Sequence, residues 1–217
     1  MYEQLSNRST QKELRGSNEV HSRIEEISIR IQRGVESVEK ERNRQELSQH
    51  EREDFERRIV FDYAKENGLW IDDLYSLGVP TGVGGNENTL VIDVVNSVLY
   101  KSNNLFNSKY LISNLLIQTQ IHNQLFPEAE YKLVGFTGID NGSDQPPYVE
   151  VILKQDYVPN CVNATQEEIL GFMLSLGFKQ VGNASFSNGQ YTVSDLHPRN
   201  VLKDANGFIH IVDDLIL

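Results

Sequence analysis

The sequence predicts an α+β fold preceded by an α-helical extension, and three observations predict it. Roughly the first 65 residues contain no proline, few aromatics and many Glu, Arg, Gln and Lys, which are good helix formers. From Pro80 the pattern changes to β-branched runs separated by one helical stretch. After Pro159-Asn160 there is one capped helix, followed by short strands punctuated by Asx-Gly turns.

The bulk properties bound the function. A chain of 217 residues with 39% hydrophobic content can build one real core with an appendage. A formal charge of -11, from 31 acids against 20 bases, argues against nucleic acid or an anionic membrane as partner, because phosphate neutralisation needs clustered Lys and Arg. The single cysteine, Cys161, excludes an internal disulfide and a cysteine-rich zinc site. With no signal-peptide pattern and no apolar run long enough to span a bilayer, a cytoplasmic protein is expected.

In the extension, residues 1–54, Val20, Ile24, Ile27, Ile31, Val35 and Val38 recur at three- and four-residue steps and form one apolar stripe. That stripe must be covered, either by a coiled coil or by packing against the globular part. Residues 20–38 are therefore open to self-association or to a partner helix. A second amphipathic segment, 55–67, carries Phe55, Ile59, Val60, Tyr63 and Ala64 and stops at Asn67-Gly68. The globular part is expected to begin near Phe55.

Thr89 to Val95 and Val98 to Lys101 read as a hairpin turning at Asn96-Ser97. Ser108 to Gln124 reads as a helix with Ser108 as its cap and Pro127 beyond its end. Tyr131 to Phe136 and Tyr148 to Asp156 are further strands, separated by the turn-rich Asp140-Asn141-Gly142-Ser143-Asp144. The helix Thr165 to Leu176 has Thr165 as N-cap, Glu168 at the capping-box position and Gly177 as its stop. Phe178 to Val181, Tyr191 to Val193, Val201 to Lys203 and Phe208 to Val212 complete the strand set.

The chemistry concentrates in Y-T-V-S-D-L-H-P-R-N-V-L-K-D-A-N-G-F-I-H-I-V-D-D, which begins at Tyr191. Asp195 and Asn200 lie five apart on a proline-containing loop, and Asp213 closes a short apolar strand reached through an Asx-Gly turn. A hairpin returns its far end beside the loop, so the three side chains can meet. Phosphoryl transfer needs this set: a base near the attacking hydroxyl, and hard oxygens for Mg²⁺ on the nucleotide phosphates. The five histidines show no H-x-x-x-H or H-x-H spacing, which disfavours a metal hydrolase.

This segment resembles the catalytic loop and metal aspartate of the protein-kinase-like superfamily. The S-D-L-H-P-R-N-V-L form is similar to the H-G-D-L-H-P-x-N-h-L of aminoglycoside and choline kinases, and to the small kinase-like domain of polyvalent proteins from bacterial phages and conjugative elements. The resemblance implies Asp195 as catalytic base, Asn200 and Asp213 as metal ligands, and His197 and Pro198 as loop-shaping residues. It also implies ATP and Mg²⁺ as cofactors. By position it makes Gly82, Gly84 and Gly85 a phosphate-covering loop and Lys101 the strand lysine that meets the α- and β-phosphates. The implied fold is two-lobed: an N-lobe over 68–157 with a five-stranded antiparallel sheet and one helix, then a hinge and reduced C-lobe over 158–217.

The sequence departs from the pattern in three places. Val193 and Ser194 stand where a His-Arg or His-Gly pair precedes the aspartate, Ser108 to Gln124 holds no glutamate, and Asp214-Leu215 follows the metal aspartate. Gln118 or Gln120 is left as a neutral lysine partner. The sequence ends at Leu217, so a reduced C-lobe without an activation segment is expected. The leading expectation is an ATP- and Mg²⁺-dependent phosphotransferase acting on a protein or small-molecule hydroxyl. The alternatives are an inactive pseudokinase or binding module whose N-terminal helices recruit a partner, and a structural component of a mobile element.

Overall fold

The computed structural model describes residues 23–82, 85–142 and 144–216. The start of the apolar stripe at Val20 and the central glycine Gly84 lie outside the described residues. The chain forms two compact units. The first comprises the described residues up to Val91 with Tyr100–Leu116 and Lys132–Lys154; the second comprises Ile92–Leu99, Ile117–Tyr131 and the described residues from Gln155. Among the described residues no helix is long and apolar enough to cross a membrane.

In the first unit, helix α1 covers residues 23–41 and α2 runs Gln49–Glu66, through the expected boundary at 54/55 without a break. Ser48 caps α2 in a reciprocal box with Glu51, and the Arg42 guanidinium beside Glu51 holds that carboxyl down to about 2. The two helices pack antiparallel. Tyr63 Oη donates to Glu26 (3.0 Å), Arg30 bonds Glu66 (3.0 Å), and Arg42 bonds Glu51 (2.7 Å). Gly34 sits at their closest approach, where a Cβ would come within 2.6 Å of Ile59 Cδ1. The stripe Ile24, Ile27, Ile31 and Val35 is thereby buried. Of the two coverings expected for it, packing inside the same chain is the one observed.

The five-stranded sheet has the order β1-β2-β3-β5-β4, with β1 Val79–Pro80, β2 Asn88–Asp93, β3 Val98–Asn103, β4 Lys132–Ile139 and β5 Tyr148–Asp156. β4 and β5 pair antiparallel with an irregularity between Leu133 and Gly135. At that point Trp70 bridges to Phe136, and a Cβ on Gly135 would lie 2.3 Å from the Leu69 carbonyl oxygen; only glycine admits the approach.

Helix α3, Ile112–Leu125, starts four residues later than the expected Ser108. Lys109 and Tyr110 take left-handed φ of 56° and 61°, which breaks a helix, and the Ser108 hydroxyl donates to Leu105 O instead of capping. The first turn of α3 holds no acid of its own. Glu56 of α2 supplies one: fully buried, it accepts from Ser113 N (2.9 Å), Ser113 Oγ (2.7 Å) and Arg52 Nε (3.0 Å). A carboxylate at this end satisfies an orphan amide and opposes the helix dipole.

The second unit contains two small sheets and helix α4, Gln166–Ser175. One sheet has the order β11-β10-β6, with β6 Val162–Asn163, β10 Val201–Lys203 and β11 Ile209–Ile211. The other runs β12-β9-β8-β7, with β7 Lys179–Gly182, β8 Ser185–Ser187, β9 Thr192–Ser194 and β12 Leu215–Ile216. Ile169, Met173, Phe178, Phe186, Val193 and Leu196 are central to its core. The Thr165/Glu168 capping box forms as expected, and Lys203 also bonds Glu168.

That Lys203 bond, followed by the Thr165 amide, lowers the Glu168 pKa. A depressed carboxylate contributes stability that is complete above the ordinary glutamate range and is lost as pH falls through the lowered value. Thermal melts across the acid range are expected to show a shallower pH dependence for Glu168→Gln than for the native chain; identical slopes would remove this residue from the acid response.

Candidate functional site

The loop that follows β9 is tied by its own polar groups. Asp195 takes a left-handed φ of 65°, tolerable for aspartate, and its carbonyl accepts from His197 N (2.9 Å) and Asn200 Nδ2 (3.0 Å). The same Asn200 amide donates to Asp195 Oδ2 (2.8 Å), and His197 Nε2 lies 3.4 Å from Oδ1. Asn200 N in turn bonds His197 O (2.8 Å). Leu196 and Val201, both fully buried, anchor the loop on the core beneath it. The Asp195 side chain is 57% exposed, so its carboxylate is open to an incoming group.

Two pairings bring Asp213 to this loop. The Asn200 carbonyl accepts from Val212 N (2.9 Å) and Asp213 N (3.4 Å). Beyond Asp213, β12 pairs antiparallel with β9, placing Leu215 opposite Ser194 and Ile216 opposite Val193. The chain entering Asp195 and the chain leaving Asp213 are therefore neighbours in one sheet. Val193 is fully buried in the apolar core, where a valine packs well and an imidazole would need two polar partners.

Of the other residues singled out from sequence, Gly82, Gly85 and Lys101 belong to the first unit and Gln118 to the second. Gly82, at φ 67°, and Gly85 lie in the connection between β1 and β2, with open space where a Cβ would stand. Lys101 is interior to β3 rather than at its end, because the strand continues to Asn103, and it is buried. Gln118, left as a neutral lysine partner, donates to Ile216 O (3.3 Å) in the second unit.

The donor chemistry suits a hard cation. Because the Asn200 Nδ2 points to Asp195, its Oδ1 stays outside that bond, and Asp213 adds carboxylate oxygens. Among the described residues no group of three or more His, Cys, Asp or Glu converges to hold a metal. Asn200 and Asp213 carry hard oxygens of the kind Mg²⁺ takes, an ion that completes its shell with water and substrate phosphates.

Asp213 lies in the bend between β11 and β12 rather than at the end of a strand, and sequence reasoning missed the residues that hold this bend. His122 Nδ1 lies 3.0 Å from Asp214 Oδ1, and Tyr131 Oη donates to Val212 O (2.5 Å). His122 reads from sequence only as a satisfied helix-face histidine, because its partner lies 92 residues away.

A mixed α+β chain that joins an Asp195–Asn200 loop to Asp213 is a protein of the kinase-like class. The family described as the serine/threonine/tyrosine kinase found in polyvalent proteins matches residues 53–217, and the chain belongs to that family. The match starts inside α2, two residues before Phe55, and includes Glu56. No curated protein and no solved structure matches the chain.

Proposed function

We propose that the chain is an ATP- and Mg²⁺-dependent phosphotransferase of the cytoplasm that passes the γ-phosphoryl group to a protein or small-molecule hydroxyl. The observation that carries this reading is the Asn200 junction, whose side chain bonds Asp195 and whose carbonyl bonds the backbone of Asp213. In this reading Asp195 orients the acceptor hydroxyl and takes its proton, a role worth about 10²–10⁴-fold in rate. Asn200 Oδ1 and Asp213 hold the metal, and Gly82, Gly84, Gly85 and Lys101 serve the phosphates. A Mg²⁺ ion held there would supply neutralisation of charge at the phosphates.

Thermal melts with ATP, with and without Mg²⁺, test this reading. Stabilisation that grows on adding Mg²⁺ and loses that increment in Asp213→Ala supports it; no stabilisation at millimolar ATP would sink it. The catalytically inactive reading is favoured by the missing helix glutamate and by the use of the Gln118 amide at Ile216 O. It expects the same melts with no phosphoryl transfer.

A further inference from the structure

Residues 212–216 are anchored at alternate positions by the segment 118–131. Tyr131 Oη bonds Val212 O, His122 meets Asp214, and Gln118 bonds Ile216 O. The central anchor is the most buried: the His122 side chain is 2% exposed and that of Asp214 6%. The second His122 nitrogen, Nε2, donates to Ala129 O (3.0 Å), which also accepts from Gln155 Nε2 (2.6 Å). The ring packs against Tyr131 (centroids 4.5 Å apart) and Phe126 (5.3 Å), so its orientation is set from both faces and both nitrogens. Asp214 is less well served. Its Oδ2 is buried without a hydrogen-bond partner, and its bond to His122 is what holds the carboxylate in place.

We propose that His122 is a positioning residue for the metal end of the site: by holding Asp214 it fixes the backbone that presents Asp213. This inference rests on the phosphotransferase reading and names a residue that acts there through another. Without the imidazole, a buried carboxylate loses its partner and must turn towards water, and Asp213 is covalently next to it. Outer groups that orient metal ligands typically change metal affinity by about 10–100-fold when removed. His122→Phe keeps an aromatic ring beside Tyr131 and Phe126 and removes both polar contacts. His122→Asn keeps a short donor near the Nδ1 position.

The experiment measures the Mg²⁺ concentration that half-saturates the ATP-dependent stabilisation of the full chain, alongside metal-free ATP binding. In His122→Phe this midpoint is expected to rise at least about tenfold, with metal-free ATP binding unchanged, and His122→Asn is expected to lie nearer the native value. If His122→Phe fails to fold, the double variant His122→Phe/Asp214→Leu removes the stranded charge with its partner, and the raised midpoint is expected there. A native midpoint in a folded variant lacking the imidazole donor overturns the proposal while leaving the phosphotransferase reading intact. A native chain with no Mg²⁺-dependent stabilisation overturns both.

Discussion

Asp195→Ala is expected to lower phosphoryl transfer from Mg²⁺-ATP by about 10²–10⁴-fold while leaving nucleotide binding in place. The carboxylate is more than half exposed, so its removal forfeits little packing. The loop also keeps its internal ties, because Asn200 Nδ2 retains the Asp195 carbonyl and Asn200 N retains His197 O. The left-handed φ of 65° is a complication, since alanine tolerates it less well than aspartate by about 1 kcal/mol. Asp195→Asn separates the two effects: asparagine suits that backbone and keeps the side-chain shape but accepts no proton. Equal losses in both variants, read from transfer of labelled γ-phosphate, assign the effect to the carboxylate. A near-native rate in Asp195→Asn would exclude it as the base.

Glu56→Ala is expected to cost about 3 kcal/mol of stability. The carboxylate is fully buried and accepts from three donors, two of them on Ser113 at the start of α3. Its removal leaves a helix N-terminus without a cap, worth about 1 kcal/mol, and strands the Ser113 hydroxyl and amide without their acceptor. The Arg52 partner is 41% exposed and recovers water, which keeps the loss below that of a fully buried pair. For a chain of this length the loss corresponds to roughly 6–12 °C in melting temperature. Glu56→Gln, which retains one acceptor oxygen, is expected to lose about half as much. A shift under about 2 °C in Glu56→Ala would mean that α3 does not depend on this cap.

These two residues show what sequence makes legible. Asp195 and Asn200 lie on one loop, so five-residue spacing and residue type suffice to mark them, and Asp213 follows through a turn that Asp204 makes locally with Asn206 N and Phe208 N. The capping box of α4 is equally local, and so are the strands β2 to β5, whose β-branched runs survive on their own. The start of α3 was not legible because the group that caps it stands 57 residues upstream on another helix. β6 and β12 are two residues long and exist through distant partners: Val162–Asn163 pairs with Leu202 and Lys203, and Leu215–Ile216 pairs with Val193 and Ser194. No local pattern distinguishes such pairs from loop. The choice of Val193 before the Asp195–Asn200 loop is a matter of burial, which appears only once its sheet is assembled.

The site depends on that non-local part. β12 returns beside β9, and the anchors from Gln118, His122 and Tyr131 hold residues 212–216, which include the bend at Asp213.

The central claim, that Asn200 and Asp213 hold the metal of a bound nucleotide, is tested most directly by anomalous diffraction from crystals grown with Mn²⁺ and a non-hydrolysable ATP analogue. The expected result is a metal peak within about 2.3 Å of both Asn200 Oδ1 and an Asp213 carboxylate oxygen, with phosphate oxygens completing its shell. A nucleotide bound with its metal away from both side chains, or no nucleotide at saturating concentration, would contradict it.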